Sequence, residues 1–287
     1  MINAGAKLYA VLGHPVSHSL SPTMQNAAFA ELGLNAVYLA FDVTPERLPV
    51  LLPALGELGF AGLNLTVPLK EVAFQQLSDL DDSAMRMRSV NTIKIEDRAM
   101  RGYSTDGAGF LAALQAEFDL DVRGRSICVI GCGGAGRATA IACAMAGAAE
   151  IRLLNRSAGR AERLAAEIAG MPDAPRVSLA PTSVSAWQEA VGQSEIIVQA
   201  TSVGLRQEDT PLVGADAFHS GQWFYDLIYH VPETATMRAA AAAGARVANG
   251  LGMLLYQGAL ALEIWTGRPA PISSMRRALQ QAVNMRG

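Results

Sequence analysis

Apolar and polar positions alternate along this chain in short blocks, and the blocks fall into two sets. In the first, Leu8–Leu12 is an apolar run halted by Gly13-His14-Pro15, the pattern of a buried strand closed by a turn. Pro22 opens a helical segment to about Gly33, with Ser21 expected as its N-cap. Val37–Phe41 reads as a strand, and Thr44-Pro45-Glu46 as a cap followed by proline at the first helical position, predicting a helix to about Leu58. Gly62–Leu65 is a predicted strand and Leu69–Leu77 a helix. Thr92–Ile95 and Met100–Tyr103 form a predicted hairpin around Glu96-Asp97-Arg98. Asp106–Phe118 closes the set as a helix with Asp106 as its cap.

A polar stretch, Asp121–Arg125, precedes the second set. Its alternation is more regular: strands at 126–130, 150–154, 177–180, 195–199 and 223–227, with helices at 134–146 and 158–169 between the first three. Strands separated by helices of this length predict an α/β fold with a parallel sheet and right-handed crossovers. An alanine run, Ala239–Ala243, suits a helix, and Gly250–Trp265 and Ser273–Met285 read as two more.

Composition narrows the classes. A length of 287 residues gives an opening expectation of two domains. Hydrophobic residues make up 51% and charged residues 17%, against about 25% charged in a typical soluble protein, which argues against disorder. The net charge of −3 leaves no basic surplus, which argues against a nucleic-acid or anionic-membrane partner. Cys128, Cys132 and Cys143 fit neither a zinc site nor a disulfide framework, and a reducing compartment is expected. The longest stretch free of charged residues, Leu8–Ala30, contains two prolines, three serines and two histidines, so it predicts no membrane helix. A cytoplasmic protein without a secretory signal is the expectation. His14 and His18 are separated by Pro15 and have no acidic cluster, and no metal site is predicted.

The most informative segment follows the strand at 126–130. Gly131-Cys132-Gly133-Gly134-Ala135-Gly136 is Gly-x-Gly-x-x-Gly between a buried strand and a helix. The first glycine permits a tight turn, the second lets backbone approach a pyrophosphate, and the third lets helix pack on strand. The helix N-terminus adds free N–H groups and a positive dipole end. An Asp or Glu about 20 residues on would favour an unphosphorylated ribose. This chain instead has Asn155-Arg156-Ser157 followed by Arg160. Two arginines at a helix start are disfavoured by the dipole, and a bound 2′-phosphate accounts for them. The cofactor read from this loop is NADP.

Taken together, the motifs resemble the shikimate dehydrogenases over almost the whole length. They are Ser17-His18-Ser19-Leu20-Ser21-Pro22, Asn64 to Lys70, Ser89-Val90-Asn91-Thr92, Thr105-Asp106-Gly107, Asn155-Arg156-Ser157 with Arg160, Ala200-Thr201-Ser202-Val203-Gly204, Asp226-Leu227-Ile228-Tyr229, and Gly252-Met253-Leu254 with Gln257. The resemblance implies an N-terminal α/β substrate domain, a C-terminal Rossmann-like NADP-binding domain and a central cleft. It implies a substrate domain at 1–105, with helices 250–287 packing back onto it, and a dinucleotide domain at 106–249.

It also implies roles. Lys70 and Asp106 match a catalytic pair, and a lysine ending an uncharged segment suits acid/base work. Ser19 and Ser21 match ligands of a substrate carboxylate, though Ser21 before Pro22 also suits plain capping. Thr66, Asn91 and Gln257 match ring-hydroxyl ligands, and Tyr229 a residue near carboxylate and nicotinamide. Gly131, Gly133, Gly134, Ala135, Asn155, Arg156, Ser157, Arg160, Thr201 and Gly252 match cofactor contacts. The activity implied is reversible NADPH-dependent reduction of 3-dehydroshikimate to shikimate by a monomer or homodimer. The alternatives are a quinate or NAD enzyme of the same family and a non-catalytic metabolite sensor on this fold. Ser104, Ser89, Ser157, Gln199 and Leu205 depart from the family's usual residues, and none removes a proposed catalytic group.

Overall fold

A computed structural model describes residues 2–206 and 208–285. The chain divides into two compact units, Met1–Gly109 with Leu254–Gly287, and Phe110–Met253. The first carries β1 (Lys7–Gly13), α1 (Ser21–Glu31), β2 (Ala36–Asp42), α2 (Leu48–Glu57), β3 (Phe60–Leu65), α3 (Lys70–Gln76), β4 (Asp79–Leu80), α4 (Asp82–Met87), β5 (Thr92–Glu96) and β6 (Ala99–Tyr103). Its sheet runs β2-β1-β3-β5-β6-β4. β1 is parallel to β2 and β3, whereas β5 pairs antiparallel with both β3 and β6. Apolar side chains from β1, β3 and β5, among them Leu12, Leu63 and Ile93, bury with Leu48, Leu52 and Leu69 in one core.

Helix α5 (Asp106–Phe118) spans the boundary between the units, as does α10 (Leu251–Thr266). The second unit contains β7 (Ser126–Ile130), α6 (Gly134–Met145), β8 (Glu150–Leu154), α7 (Ala158–Ala169), β9 (Arg176–Leu179), α8 (Val184–Gly192), β10 (Ile196–Gln199), β11 (Trp223–Asp226), α9 (Ala235–Ala242) and β12 (Arg246–Ala248). α11 (Ile272–Asn284) returns to the first unit, where it packs on α1 through a face that buries Met275, Leu279 and Ala282. The second sheet is parallel throughout, in the order β12-β11-β10-β7-β8-β9. β7 therefore lies beside the point where the winding reverses, and the loop leaving it opens at the carboxyl edge where α/β sheets bind ligands. Four successive residues of β7, Ile127 to Ile130, are fully buried, which requires cover on both faces of the sheet.

Two expected boundaries move. Ser21 is the first helical residue of α1 rather than its cap; the cap position is Leu20, and Pro22 falls within the first turn. The α2 helix starts at Leu48, not Pro45. The Thr44 carbonyl accepts from both Arg47 N (3.1 Å) and Leu48 N (3.3 Å), closing a separate turn, and Pro49 then sits where a helix needs no N–H donor. The short helices α4 and α8 escaped the pattern reading. Both carry a local signal: Asp81 caps α4 through Ser83 N, and Ser183 caps α8 through Ala186 N.

Candidate functional site

In the first unit, polar side chains converge at the end of β3 and the starts of α3 and α5. Thr66 follows β3, and Lys70 opens α3. Lys70 Nζ lies 2.6 Å from Asp106 Oδ2, with the Lys70 side chain 21% exposed and that of Asp106 only 7%. Asp106 is the first residue of α5, not its cap as expected. Its two oxygens are spent outside the helix, Oδ2 on Lys70 and Oδ1 on Asn91 Nδ2 at 2.9 Å. The capping explanation for this aspartate thus loses its basis.

Asn91 is the hub. It is 1% exposed, and its amide nitrogen also donates to Thr105 Oγ1 (2.9 Å) and approaches Gln257 Oε1 (3.3 Å). Its amide oxygen accepts from Thr105 N at 2.8 Å, which fixes the residue just before Asp106. Ser104, where the family usually has asparagine, gives its N–H to Ser83 Oγ at 3.1 Å. Its own buried Oγ has no partner among the described residues. Orientation of the Asp106 segment is supplied by Asn91, so the Ser104 departure does not leave it loose. Gln257 comes from α10 and donates to Leu254 O at 2.9 Å. Ser19 is half-buried and accepts from Ser21 N at 3.2 Å, while Ser21 is buried.

Two members of this cluster received no role from the sequence: Asn64, quoted only as the start of a motif, and Tyr38, not singled out at all. Asn64 donates to Asn91 O (3.1 Å) and Thr92 Oγ1 (3.0 Å), and Tyr38 Oη donates to Asn64 Oδ1 at 2.7 Å. Tyr38 lies on edge strand β2, far from any motif, and its only advance signal is a hydroxyl within an apolar run.

In the second unit the glycine loop leaves β7 as the spacing predicts. Gly131 has φ +102°, a left-handed conformation that side chains oppose. A Cβ on Gly136 would lie 1.8 Å from Gly131 O, so helix and loop touch only because it is absent. Cβ atoms on Gly133 and Gly134 would meet nothing within 4 Å, and no side chain caps α6. This is open backbone at a helix N-terminus, the donor set a pyrophosphate needs. Asn155 Oδ1 accepts from Cys132 N at 3.0 Å and its amide donates to Ser157 O at 2.8 Å, so it braces the loop against the next turn. Arg156 and Arg160 are exposed and form no ion pair among the described residues. Burial pushes the Cys132 thiol up to about 11, so the loop carries no thiolate at neutral pH.

Three further predicted residues also belong to this unit. Gly252 is buried, and a Cβ on it would lie 3.1 Å from Tyr225 Oη. Thr201 Oγ1 accepts from Val203 N at 3.1 Å. Tyr229 stacks on His230 with ring centroids 4.2 Å apart. Gln199, noted only as a departure, shapes the Thr201 loop: it is fully buried, donates to Val203 O at 2.8 Å and accepts from Thr201 N. Asp226, two residues after Phe224 on β11, accepts from Thr234 Oγ1 (2.7 Å) and Ile228 N (3.0 Å). Burial nevertheless pushes its carboxyl up to about 6. Among the described residues there is no cluster of metal-ligating side chains, and no helix is long and apolar enough to cross a membrane.

Comparison with known proteins agrees along the length. Residues 11–93 match the model of the shikimate dehydrogenase substrate binding domain, 112–217 that of shikimate / quinate 5-dehydrogenase, and 250–280 that of the shikimate 5′-dehydrogenase C-terminal domain. A shikimate dehydrogenase (NADP(+)) from Moorella thermoacetica is 46% identical, with 98% of this chain and 95% of the relative covered. A crystal structure of a shikimate dehydrogenase in complex with NADP+ superposes with a TM-score of 0.89 at 39% identity, covering 99% of this chain and 98% of that one. The enzyme from Thermus thermophilus in complex with NADP(H) and shikimate gives 0.86 at 37% identity over 96% and 99% of the two chains. With three domain models in order and a near-full-length relative far above chance identity, the chain belongs to the shikimate dehydrogenase family.

Proposed function

We propose that this protein catalyses the reversible NADP-dependent interconversion of shikimate and 3-dehydroshikimate, with substrate held by the first unit and cofactor by the second. The observation that carries the reading is the Lys70–Asp106 pair, 2.6 Å apart and braced by Asn91. Oxidising a secondary alcohol requires its proton to leave as hydride departs, and a lysine held by a buried carboxylate performs that step. In the reduction the Lys70 ammonium gives a proton to the ketone oxygen as hydride arrives, leaving the amine; in the oxidation that amine takes the hydroxyl proton and becomes the ammonium again. Asp106 keeps the Lys70 side chain aimed through Oδ2, with Oδ1 held by Asn91. Thr66, Asn91 and Gln257 supply hydroxyl and amide groups for the remaining ring hydroxyls, and Ser19 and Ser21 supply donors for the carboxylate.

The open glycine loop and the two unpaired arginines fit NADP, which when bound supplies or accepts the hydride. Gly131, Gly133, Gly134 and Ala135 present backbone to the pyrophosphate; Asn155, Arg156, Ser157 and Arg160 hold the 2′-phosphate; Thr201 and Gly252 line the remainder. Arg forks suit a phosphate through bidentate contacts. A net charge of −3 supports a small-molecule enzyme without a nucleic-acid partner, and we place it in the cytoplasm as a monomer or homodimer. The test is a side-by-side assay of the purified protein on shikimate and quinate with NADP+ and NAD+, following reduced nicotinamide by absorbance. Turnover of shikimate with NADP+ well above the other three combinations is expected. No turnover of shikimate with either cofactor sinks the proposal.

A further inference from the structure

The Tyr38 phenol has a place in the site cluster that its position on an edge strand does not explain. Its ring is fully buried and rests against Trp265, with centroids 6.1 Å apart. Its backbone is clamped by Asn26 on α1, which accepts from Tyr38 N at 2.9 Å and donates to Tyr38 O at 2.8 Å. The hydroxyl lies between the side chains of Ser21 and Asn64.

Proton bookkeeping gives this chain a direction. The Asn64 amide nitrogen faces a backbone carbonyl, Asn91 O, and Thr92 Oγ1; turning the amide over would set its oxygen against that carbonyl. Asn64 Oδ1 is therefore the atom facing Tyr38 Oη, and it can only accept. The single phenolic proton is committed to Asn64, so toward the neighbouring Ser21 side chain Tyr38 Oη can only accept. Onward from Asn64, the bonds pass to Asn91 and Thr92, then to Thr105 and Asp106, and end at Lys70. Burial raises the phenol well above its ordinary value, so it stays a donor at every working pH.

We propose that Tyr38 is a positioning residue for the reaction, fixing the Asn64 amide and through it the Asn91–Asp106–Lys70 group. The proposal rests on the assignment of Lys70 and Asp106 as the proton-handling pair. Without the phenolic donor, Asn64 Oδ1 is a buried acceptor left unpaired, and the amide is held from one side only, through its nitrogen on Asn91 O and Thr92 Oγ1. The loss then reaches Asn91 at its backbone carbonyl, and the Asn91 side-chain amide sets the Thr105–Asp106 segment. A small misplacement of reacting groups is enough to slow the chemical step many-fold.

The variant is Tyr38→Phe, which removes one oxygen and keeps the ring on Trp265. Expected are a kcat lower by about tenfold, an unchanged KM for NADP+, and a solvent deuterium isotope effect on kcat larger than that of the parent. The isotope effect rises because a misaligned proton transfer becomes more rate-limiting, which a packing role would not produce. Asn64→Ala should show the same signature, and adding Tyr38→Phe to it should cost nothing further. Assays are run below each variant's thermal transition, so that only folded enzyme is compared. A Tyr38→Phe kcat within twofold of the parent overturns the proposal. So does a lower kcat with an unchanged isotope effect, or multiplicative losses in the double variant. Lys70→Met in the parent separates the two levels of argument. If it keeps near-normal kcat, the reading of the pair fails; if it is inactive while Tyr38→Phe is normal, only the role of Tyr38 fails.

Discussion

Removing the charge from Lys70 should injure the protein in two separable ways. In Lys70→Met, the Asp106 carboxylate keeps the Asn91 amide but loses its cation, with its side chain 7% exposed. Breaking a buried pair from one side costs about 3–5 kcal/mol. The low end applies, about 3 kcal/mol, because a fifth of the Lys70 side chain already meets solvent. At roughly 2–4 °C per kcal/mol, the melting temperature should fall by about 6–12 °C. Asp106→Asn should cost less, since the ammonium left behind can turn toward water. The double variant Lys70→Met/Asp106→Asn leaves no buried charge and should recover most of the lost stability, so the two effects do not add. Activity behaves differently. Each single variant should lose about 10²–10⁴ in kcat, and the double should lose little more, because the pair acts as a unit. Calorimetric melting and steady-state rates on the same three preparations decide the matter. A Lys70→Met protein with kcat within tenfold of the parent refutes the chemistry. A double variant as unstable as the sum of the singles refutes the electrostatic account.

Arg156→Ala should raise KM for NADP+ by about tenfold or more and leave NAD+ little changed, since a charge-assisted contact is worth about 1.5–3 kcal/mol; equal effects on both would remove the 2′-phosphate assignment. Ser19→Ala should weaken shikimate in a calorimetric titration while NADP+ affinity stays put, and unchanged shikimate affinity would leave Ser19 without a binding role. Gly136→Ala places a carbon 1.8 Å from Gly131 O, so cofactor binding by titration should be abolished; retained affinity would mean the loop can shift without harm. Asp226 predicts a pH slope. Its folded value of about 6 lies above an unfolded value near 4, so its contribution to stability is complete below about pH 4 and is lost as pH rises through about 6. Asp226→Asn should flatten that slope in urea titrations between pH 4 and 7, and a slope unchanged from the parent would show that Asp226 is not its source.

Much of the fold was legible because two strong signals coincide in the second unit. The strand Ile127–Ile130 is apolar at every position, as a parallel strand covered on both faces must be, and glycines follow it where a loop must turn and let a helix close in. In the first unit the signals conflict. Pro45 after Thr44 mimics a helix start, yet Pro49 and Pro53 lie downstream and the helix begins only at Leu48. Proline marks where a helix is permitted to start, and three prolines in nine residues leave that choice to packing. The short β4 and α4 fall below the length at which periodicity can be read.

The site was legible only as far as its residues sit in compact motifs. Lys70, Asn91 and Asp106 are each flanked by recognisable neighbours, but nothing local distinguishes a proton-handling aspartate from a helix cap. That distinction is made by where the two carboxylate oxygens go, to Lys70 from α3 and Asn91 ahead of β5, and so by pairings between segments 15 and 36 residues away. Tyr38 and Gln199 lie further beyond reach. Each is a polar side chain within an apolar strand, a pattern indistinguishable in sequence from a residue tolerated at a sheet margin. What sets them apart is complete burial with side-chain bonds aimed at residues that adjoin the site: Tyr38 to Asn64, Gln199 to Thr201 and Val203. A buried polar group without partners would cost about 1–3 kcal/mol, so a strand keeps one only where its partners need it. Residues of that kind, rather than the motif residues they support, are where a structure adds most to a reading of this family's sequence.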